Sequence, residues 1–465
     1  MPRRSRRRPE SELRYHRSGP IPTPLGRTDV QESLDRLLPA DTIRQFARES
    51  RFVVRERKLD PVAFLWTLVL DFGVELHRFL EELREAYVKS SELEEIAYTS
   101  YYLRFNAELC EFLRLCLQHA IAQLPKEPGR ELDPRLKAFV DDVVIKDSSV
   151  VRLHASLATK WPATRSRKIA AGVKVDLLVS VCANGPKSVA LIGERTADVK
   201  TLRLGGWVKD RILLADLGYY SHRLFAKIDE YHGYFVSRWK QSADPLFVRS
   251  LTVHRGRAID LEGKRLSEVL PKLQREVLDA EVELTFQKRV YNGHRSTDTF
   301  RCRIVAVWDE KNEEYHTYLT NIPLERLTAE EVAQLYGLRW EIELTFKELK
   351  SHYALDQFRT TKAVVVEALI WSALLTLVAS RQIHNLVRRI QPPELRARYQ
   401  MLKWARVFRS TARDILAALL GYLGLGEGKD DRYRVINVSL TRLALDAHVK
   451  RHRLREDWSR AAGLN

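Results

Sequence analysis

The sequence predicts an α/β protein: a core built on a β-sheet, interrupted by a β-rich insertion and flanked by helical regions at both ends. Three observations carry that reading. Residues 139–147 and 211–215 are short apolar runs with β-branched side chains, as buried strands are, and each runs into an aspartate. Helical periodicity and capping patterns dominate residues 28–130 and again the chain beyond 328. Between these, 280–291, 298–308 and 314–321 read as antiparallel strands joined by polar turns. A chain of 465 residues has ample core for about three domains.

Residues 1–27 hold eight Arg, no Lys and two Glu, with several Pro. Such a segment cannot bury a core and is expected as a disordered basic arm. Residues 28–130 are expected as a helical domain. Asp60 followed by Pro61 is an N-cap with proline at the first helical position, opening a helix to about residue 86. Ser91 and Glu94 have the spacing of a capping box and lead into a long helix to about residue 124. Helices with short Ser/Thr-rich breaks suit a DNA-binding helix-turn-helix arrangement, and a plain bundle equally well.

Residues 131–246 carry the first part of the core. Asp147 is expected at the end of the strand 139–147, before the small hydroxyl residues Ser148 and Ser149. Residues 171–182 and 188–194 are two further strands and 211–215 a fourth. Asp216 and Gly218 then turn the chain into a helix from about Ser221, and 234–240 is a fifth strand. That order suits a ribonuclease H-like core, with Asp147 on the central strand and Asp216 on its neighbour. Residues 247–327 are the β-rich insertion, on which Lys288, Arg289, Arg301 and Arg303 place basic groups. Residues 328–390 return to the core. Within them, 368–379 is an apolar run bounded by Glu367 and Arg381, a buried helix too short to span a bilayer. Residues 391–465 are helical and basic, expected against DNA or a second protomer.

The stretch after Thr328 is the most specific. Thr328 and Glu331 form a capping box that opens a helix. At about 100° per residue, Tyr336, Arg339, Glu343 and Lys350 fall within an arc of about 60°, opposite Leu338, Ile342 and Leu349. A carboxylate flanked by cations in one row suits an enzyme that binds a metal ion and holds phosphates beside it. The ordinary reading of such a row is a solvated face with i,i+4 pairs. Glu341 and Glu348 lie off the row and read as solvated side chains. On the first strand Asp142 competes with Asp147, and the turn-forming Ser148 and Ser149 favour Asp147. Asp176 and Asp198 read as turn or surface residues, and Glu194 as a possible neighbour of the site.

Composition agrees with a polyanionic partner: 78 Lys+Arg against 61 Asp+Glu leave a net charge of +17. Four Cys (Cys110, Cys116, Cys182, Cys302) have no zinc spacing, which points to a reduced compartment. The Arg-rich start is not followed by an apolar stretch, so no secretory signal is expected. No His-centred constellation is visible, and His154, His222 and His352 read as surface or packing residues.

Tyr336-x2-Arg339-x3-Glu343-x6-Lys350 is the spacing found in a large subgroup of DDE transposases of bacterial insertion sequences, the Tyr-Arg-Glu-Lys subgroup, and this chain resembles them. Asp147-Ser-Ser and Asp216-x-Gly218-Tyr-Tyr match the same family's two upstream aspartates. The resemblance is strong over 138–365 and loose elsewhere. It implies that Asp147, Asp216 and Glu343 are catalytic and bind two Mg2+ ions, with Mn2+ able to substitute. It implies that Arg339 and Lys350 hold phosphates and that Tyr336 contacts the terminal strand. Lys347, Arg359 and Trp239 are further DNA-contact candidates. In relatives the β-rich insertion supplies an aromatic for a flipped base; Trp239, Tyr291 and Trp308 are the candidates here, though a packed core aromatic is commoner.

The partners so implied are double-stranded DNA, as transposon ends and target, and a second copy in a homodimeric synaptic complex, with no membrane. The setting is cytoplasmic and nucleoid-associated, and the reaction is cut-and-paste transposition. Two rival readings are a ribonuclease H-like nuclease without strand transfer and a catalytically inactive DNA-binding protein. The intact acidic trio speaks against the second.

Overall fold

The central strand, β1 (Asp142–Leu153), is longer than the apolar run that announces it. Its first half is buried from Asp142 to Lys146, and its second half mixes half-buried polar residues with Val150, buried Val151 and Leu153. In the computed structural model the chain is described over residues 20–446, apart from 55–58, 73–79, 92–94, 127–128, 165–169, 255–256, 289–295, 359 and 427–431. Arg289, Tyr291, Arg359, Glu94 and most of the basic arm therefore lie outside the described residues.

On one side β1 pairs antiparallel with β2 (Ala171–Ser180), which pairs antiparallel with β3 (Gly185–Gly193). On the other it pairs parallel with β4 (Arg211–Ala215), which pairs parallel with β5 (Tyr234–Arg238). The sheet does not stop there. The insertion contributes β6 (Leu246–Ser250), a small hairpin β7 (Val253–His254) and β8 (Arg257–Ala258), then β9 (Val277–Gln287), β10 (Thr297–Asp309) and β11 (Glu314–Thr320). Strand β11 adds antiparallel to β5, giving one nine-stranded sheet in the order β3-β2-β1-β4-β5-β11-β10-β9-β6. The insertion thus covers what would be an open edge of the core sheet, the position at which an unpaired strand is a liability.

Helices α1 (Asp29–Leu37), α2 (Ala40–Glu49), α3 (Pro61–Thr67), α4 (Leu80–Ser90), α5 (Tyr98–Tyr102), α6 (Ala107–Gln123) and α7 (Pro134–Lys137) precede the sheet. Asp60 caps α3 as expected, accepting from Val62 N at 2.8 Å and Ala63 N at 2.9 Å. Ser91 does not open the next helix; its hydroxyl donates to Tyr87 O at 2.7 Å and closes α4. The expected long helix up to residue 124 is broken, with Asn106 capping α6 through Leu109 N at 3.0 Å. Helix α8 (His222–Glu230) follows β4, and α9 (Leu266–Val269) lies in the insertion. Then come α10 (Ala329–Tyr336), a 3-10 turn Gly337–Arg339 and α11 (Trp340–His352). Helices α12 (Ala363–Ile390), α13 (Pro393–Arg396), α14 (Met401–Tyr422) and α15 (Arg432–Val438) follow.

The run at 368–379 is only the middle of α12, which has 28 residues. Its length and apolar character would suffice to cross a bilayer, but 83% of its apolar window is buried inside the protein. Buried polar residues within and beyond the run find partners. Ser372 and Thr376 donate to the carbonyls of Leu68 and Val69 at 2.8 and 2.7 Å, and Gln382 donates to Ser33 Oγ at 3.0 Å. The N-terminal helices are therefore packed around α12, in one core with α11 and one face of the sheet. The other face is covered by α8 and the insertion.

Several side chains read as surface groups are interior. Asp176, on β2, is buried in an ion pair with buried Lys146. Burial lowers the pKa of Lys146, and the Asp176 carboxylate works against that shift. Glu348 is fully buried; it accepts from Arg381 Nη2 at 2.6 Å and from Tyr353 OH at 2.9 Å. Glu341 is half-buried in a pair with Arg130. Arg303 is not a free basic group on the insertion: it is buried, forked onto Asp279 and bonded to the carbonyls of Ile322 and Leu327.

Candidate active site

Register brings Asp147 and Asp216 together. In the parallel ladder Lys146 stands opposite Ala215, and the next residue on each strand is an aspartate. Asp147 does not end β1; it ends the ladder with β4, while pairing with β2 continues to Leu153. The two strands part at this point, which leaves room beside both carboxyl groups.

Alternation fixes the face. Val143, Ile145, Ile212 and Leu214 belong to the core that contains Ile342 and Leu349 of α11. Residues two further on share that face, so Asp147 and Asp216 point to the α11 side. Asp142 has the opposite parity; it is buried and accepts from Ser180 Oγ at 2.7 Å and Cys182 N at 3.2 Å, a structural role.

The segment carrying the row crosses this face. Tyr336 OH lies 3.5 Å from Ala215 O, at the end of β4, and Lys350 Nζ lies 3.4 Å from Val150 O, in the second half of β1. Glu343 sits between them. Tyr336 is buried, 7% exposed, and packs on Tyr318. Trp340, Lys347 and Ser351 are exposed on α11. On the wheel of α11 they fall about 40–80° from Glu343, beside the row rather than on it. The row therefore borders the sheet, and solvent reaches it from one side only.

Arg339 links the acids. Its Nη2 is 2.5 Å from Glu343 Oε1, and the Asp216 and Asp147 charges lie within its reach. Burial works against the Arg339 charge, yet the bond to Glu343 and the neighbouring Tyr336 and Asp216 hold its pKa above the ordinary value. Asp147 is raised from 3.8 to about 6. Burial is the main cause and the Asp216 and Asp198 charges add to it, while the Ser148 N–H, donating at 2.7 Å, and Arg339 oppose it. Among the described residues no three acidic, imidazole or thiol groups stand close enough to hold a metal ion. Two carboxylates are adjacent, and the third is held by its own arginine.

On the reverse face of β1 and β2 lies a polar network that the sequence did not announce. Besides the Lys146–Asp176 pair, Lys174 bonds Asp198 at 2.7 Å, Ser148 Oγ bonds Asp198 at 3.0 Å and Thr201 Oγ1 bonds Asp176 at 3.1 Å. Gly218 approaches it closely: a Cβ there would lie 3.0 Å from Asp198 Oδ2. Alternating charged residues on β2 (Lys174, Asp176) were the available signal. Of the other candidates, Lys347 is exposed. Trp239 is half-buried against the second core, its indole N–H donating to Ala243 O at 2.6 Å. Trp308 packs edge-on against Tyr315. Lys288 pairs with Asp298 at 2.8 Å and Arg301 with Glu283 at 3.3 Å.

The family model described as "Transposase DDE domain" matches residues 138–379. That span contains Asp147, Asp216, Glu343 and the whole row. The chain is 22% identical over 386 residues to the transposase for insertion sequence element IS1151 of Clostridium perfringens, covering 76% of this chain and 79% of that protein. It is 23% identical over 393 residues to the transposase for IS231F of Bacillus thuringiensis subsp. israelensis, covering 74% and 78%. A stretch of 57 residues is 46% identical to the putative transposase InsL for IS186A of Escherichia coli K12, 12% of this chain and 15% of that one. A piggyBac transposase solved in a synaptic complex with hairpin DNA aligns over 96% of this chain and 88% of its own, at 11% identity and a TM-score of 0.40, too loose a likeness to bear on the fold. The chain belongs to the DDE transposases of the insertion-sequence type. Such enzymes use divalent metal ions.

Proposed function

We propose that this transposase performs metal-dependent cleavage at transposon ends and strand transfer into target DNA, on a ribonuclease H-like core, as a member of the Tyr-Arg-Glu-Lys subgroup. The observation that carries the reading is the pair Asp147–Asp216, side by side at the parting of β1 and β4, on the face crossed by the helix that bears Glu343. The order β3-β2-β1-β4-β5, antiparallel then parallel, supports the core assignment.

The donors are oxygens only, which suits a hard divalent cation such as Mg2+. Asp147 and Asp216 would hold two such ions with Glu343. Bound there, two ions supply an activated attacking oxygen and a stabilised leaving oxygen for in-line displacement. Every other role falls to side chains. Arg339, now on Glu343, would pass to a phosphate and release that carboxylate. Lys350 and the exposed Lys347 would hold the backbone on the same helix, with Arg359 next along the chain. Tyr336, tucked under Ala215, would steady the end of β4 that carries Asp216 and touch DNA only at its edge. Trp239 is a lesser candidate for DNA contact. The DNA is double-stranded, as ends and as target, and two copies would form the synaptic complex in a cytoplasmic, nucleoid-associated setting. The helical region 28–130 and the region 391–465 would add DNA or protomer contacts to the core of 131–246 and 328–390.

The test is incubation of the protein with a duplex bearing the element's terminal sequence, a target plasmid and Mg2+. Nicking at the end followed by joined products is expected. Nicking without joining would favour the nuclease reading, and binding without nicking the inactive one.

A further inference from the structure

Helix α14 carries a basic face that the active site does not use. Arg406, Arg409, Ser410 and Arg413 recur at helical spacing and, with His352 at the end of α11, line a cavity of about 460 Å³. The opposite side of α14 is core: Trp404, Ala405, Phe408, Thr411, Ala412 and Ile415 are buried, and Phe408 meets Tyr353 just beyond α11. The pocket is therefore anchored to the same helix that bears Glu343.

Its chemistry is one-sided. The lining holds three guanidiniums, an imidazole and a hydroxyl, with no carboxylate and no apolar side chain. Sites for small organic molecules are mostly apolar, so this is an anion site by composition. Exposed arginines on a helix usually have an acid three or four residues away. Arg406 has Leu402, Lys403, Arg409 and Ser410 at those spacings, and Arg409 has Ala405, Arg406, Ala412 and Arg413. Asp71 pairs with Arg413, but among the described residues neither Arg406 nor Arg409 has an ion pair or hydrogen bond. The Nδ1 atom of His352 is buried without a partner. Burial, then the Arg409 and Arg406 charges, lower the His352 pKa.

We propose that this pocket binds the phosphate backbone of duplex DNA, on a stretch separate from the scissile bond at Asp147 and Asp216. His352 follows Glu343 by nine residues, about 14 Å along the helix and half a turn round it, so the pocket lies on the side of α11 away from the row. The proposal rests on the transposase reading, and its test is kept separate by omitting metal.

Binding of a short random-sequence duplex in EDTA is measured at several KCl concentrations for the parent, the double variant Arg406→Ala/Arg409→Ala and the double variant Arg406→Lys/Arg409→Lys. The alanine variant should lower the slope of log K against log salt by about 1.8, about 0.9 for each lost phosphate contact, while the lysine variant retains most of it. Thermal unfolding with and without inorganic phosphate runs alongside. An unchanged slope in the alanine variant overturns the proposal, as does an affinity loss equal at all salt concentrations that lysine does not rescue. Stabilisation by inorganic phosphate that the alanine variant loses, with duplex binding unaltered, would make this a free-anion site and also overturn it.

Discussion

Replacing Asp147 by Asn should make the metal-free protein more stable at neutral pH. The Asp147 carboxyl titrates near 6 in the fold against an ordinary 3.8, chiefly because it is buried. Between those two values the folded chain keeps a proton that the unfolded chain has released. Stability from this group therefore falls as pH rises through the window: the penalty is absent below 3.8 and complete above about 6. The gap corresponds to about 3 kcal/mol. Asp147 is partly open to solvent, which makes that an upper figure. Asn keeps the shape and an oxygen to accept from the Ser148 N–H, now at 2.7 Å, but has no charge to desolvate. The assay is urea unfolding of parent and variant in EDTA across this pH range. The variant's advantage should grow from near zero at about pH 4 to about 2–3 kcal/mol at about pH 7. A difference independent of pH, or a variant less stable than the parent at neutral pH, refutes the reasoning. Mg2+ should then stabilise the parent far more than the variant, since a ligand that binds only the folded state adds to its stability.

Asp216→Asn should abolish Mg2+-dependent cleavage and leave duplex binding nearly intact; strong residual cutting would show that another acid does the work. Arg339→Ala and Lys350→Ala should each lower the salt slope of end binding by about 0.9, while Glu343→Gln should hardly change it. Equal, small effects of all three would mean that the row is a solvated face. Glu348→Ala strands the buried Arg381 guanidinium and should cost about 3–5 kcal/mol in unfolding experiments, with Glu348→Leu/Arg381→Met recovering most of it. A loss under about 1 kcal/mol would show that water reaches Arg381 there.

The sequence by itself determined the elements whose signals are local. The caps at Asp60 and Thr328 form as their side chains and spacing require, and α8 starts next to Ser221. The short strands of the core and the antiparallel strands of the insertion fall close to where alternation and apolar runs place them. The acids of the candidate site could be nominated from local features: the small hydroxyl residues after Asp147, the glycine turn after Asp216 and the helix face of Glu343. What the tertiary structure decided is everything that depends on a partner distant in sequence. A helical wheel separates one face from another but does not count how many neighbours a helix has. Helix α11 is covered on several sides, so Glu348, off the row and apparently free, meets Arg381 in the interior. A strand read by hydrophobicity ends where its buried half ends, yet β1 runs on through polar residues because β2 supplies hydrogen bonds to Leu153. The apolar run of α12 likewise understates the helix, since Gln382, beyond the end of the run, meets Ser33 far along the chain. The juxtaposition of Asp147 with Asp216 belongs to the same class. It rests on the register of two strands separated by some sixty residues, set by packing on both faces of the sheet rather than by either segment alone.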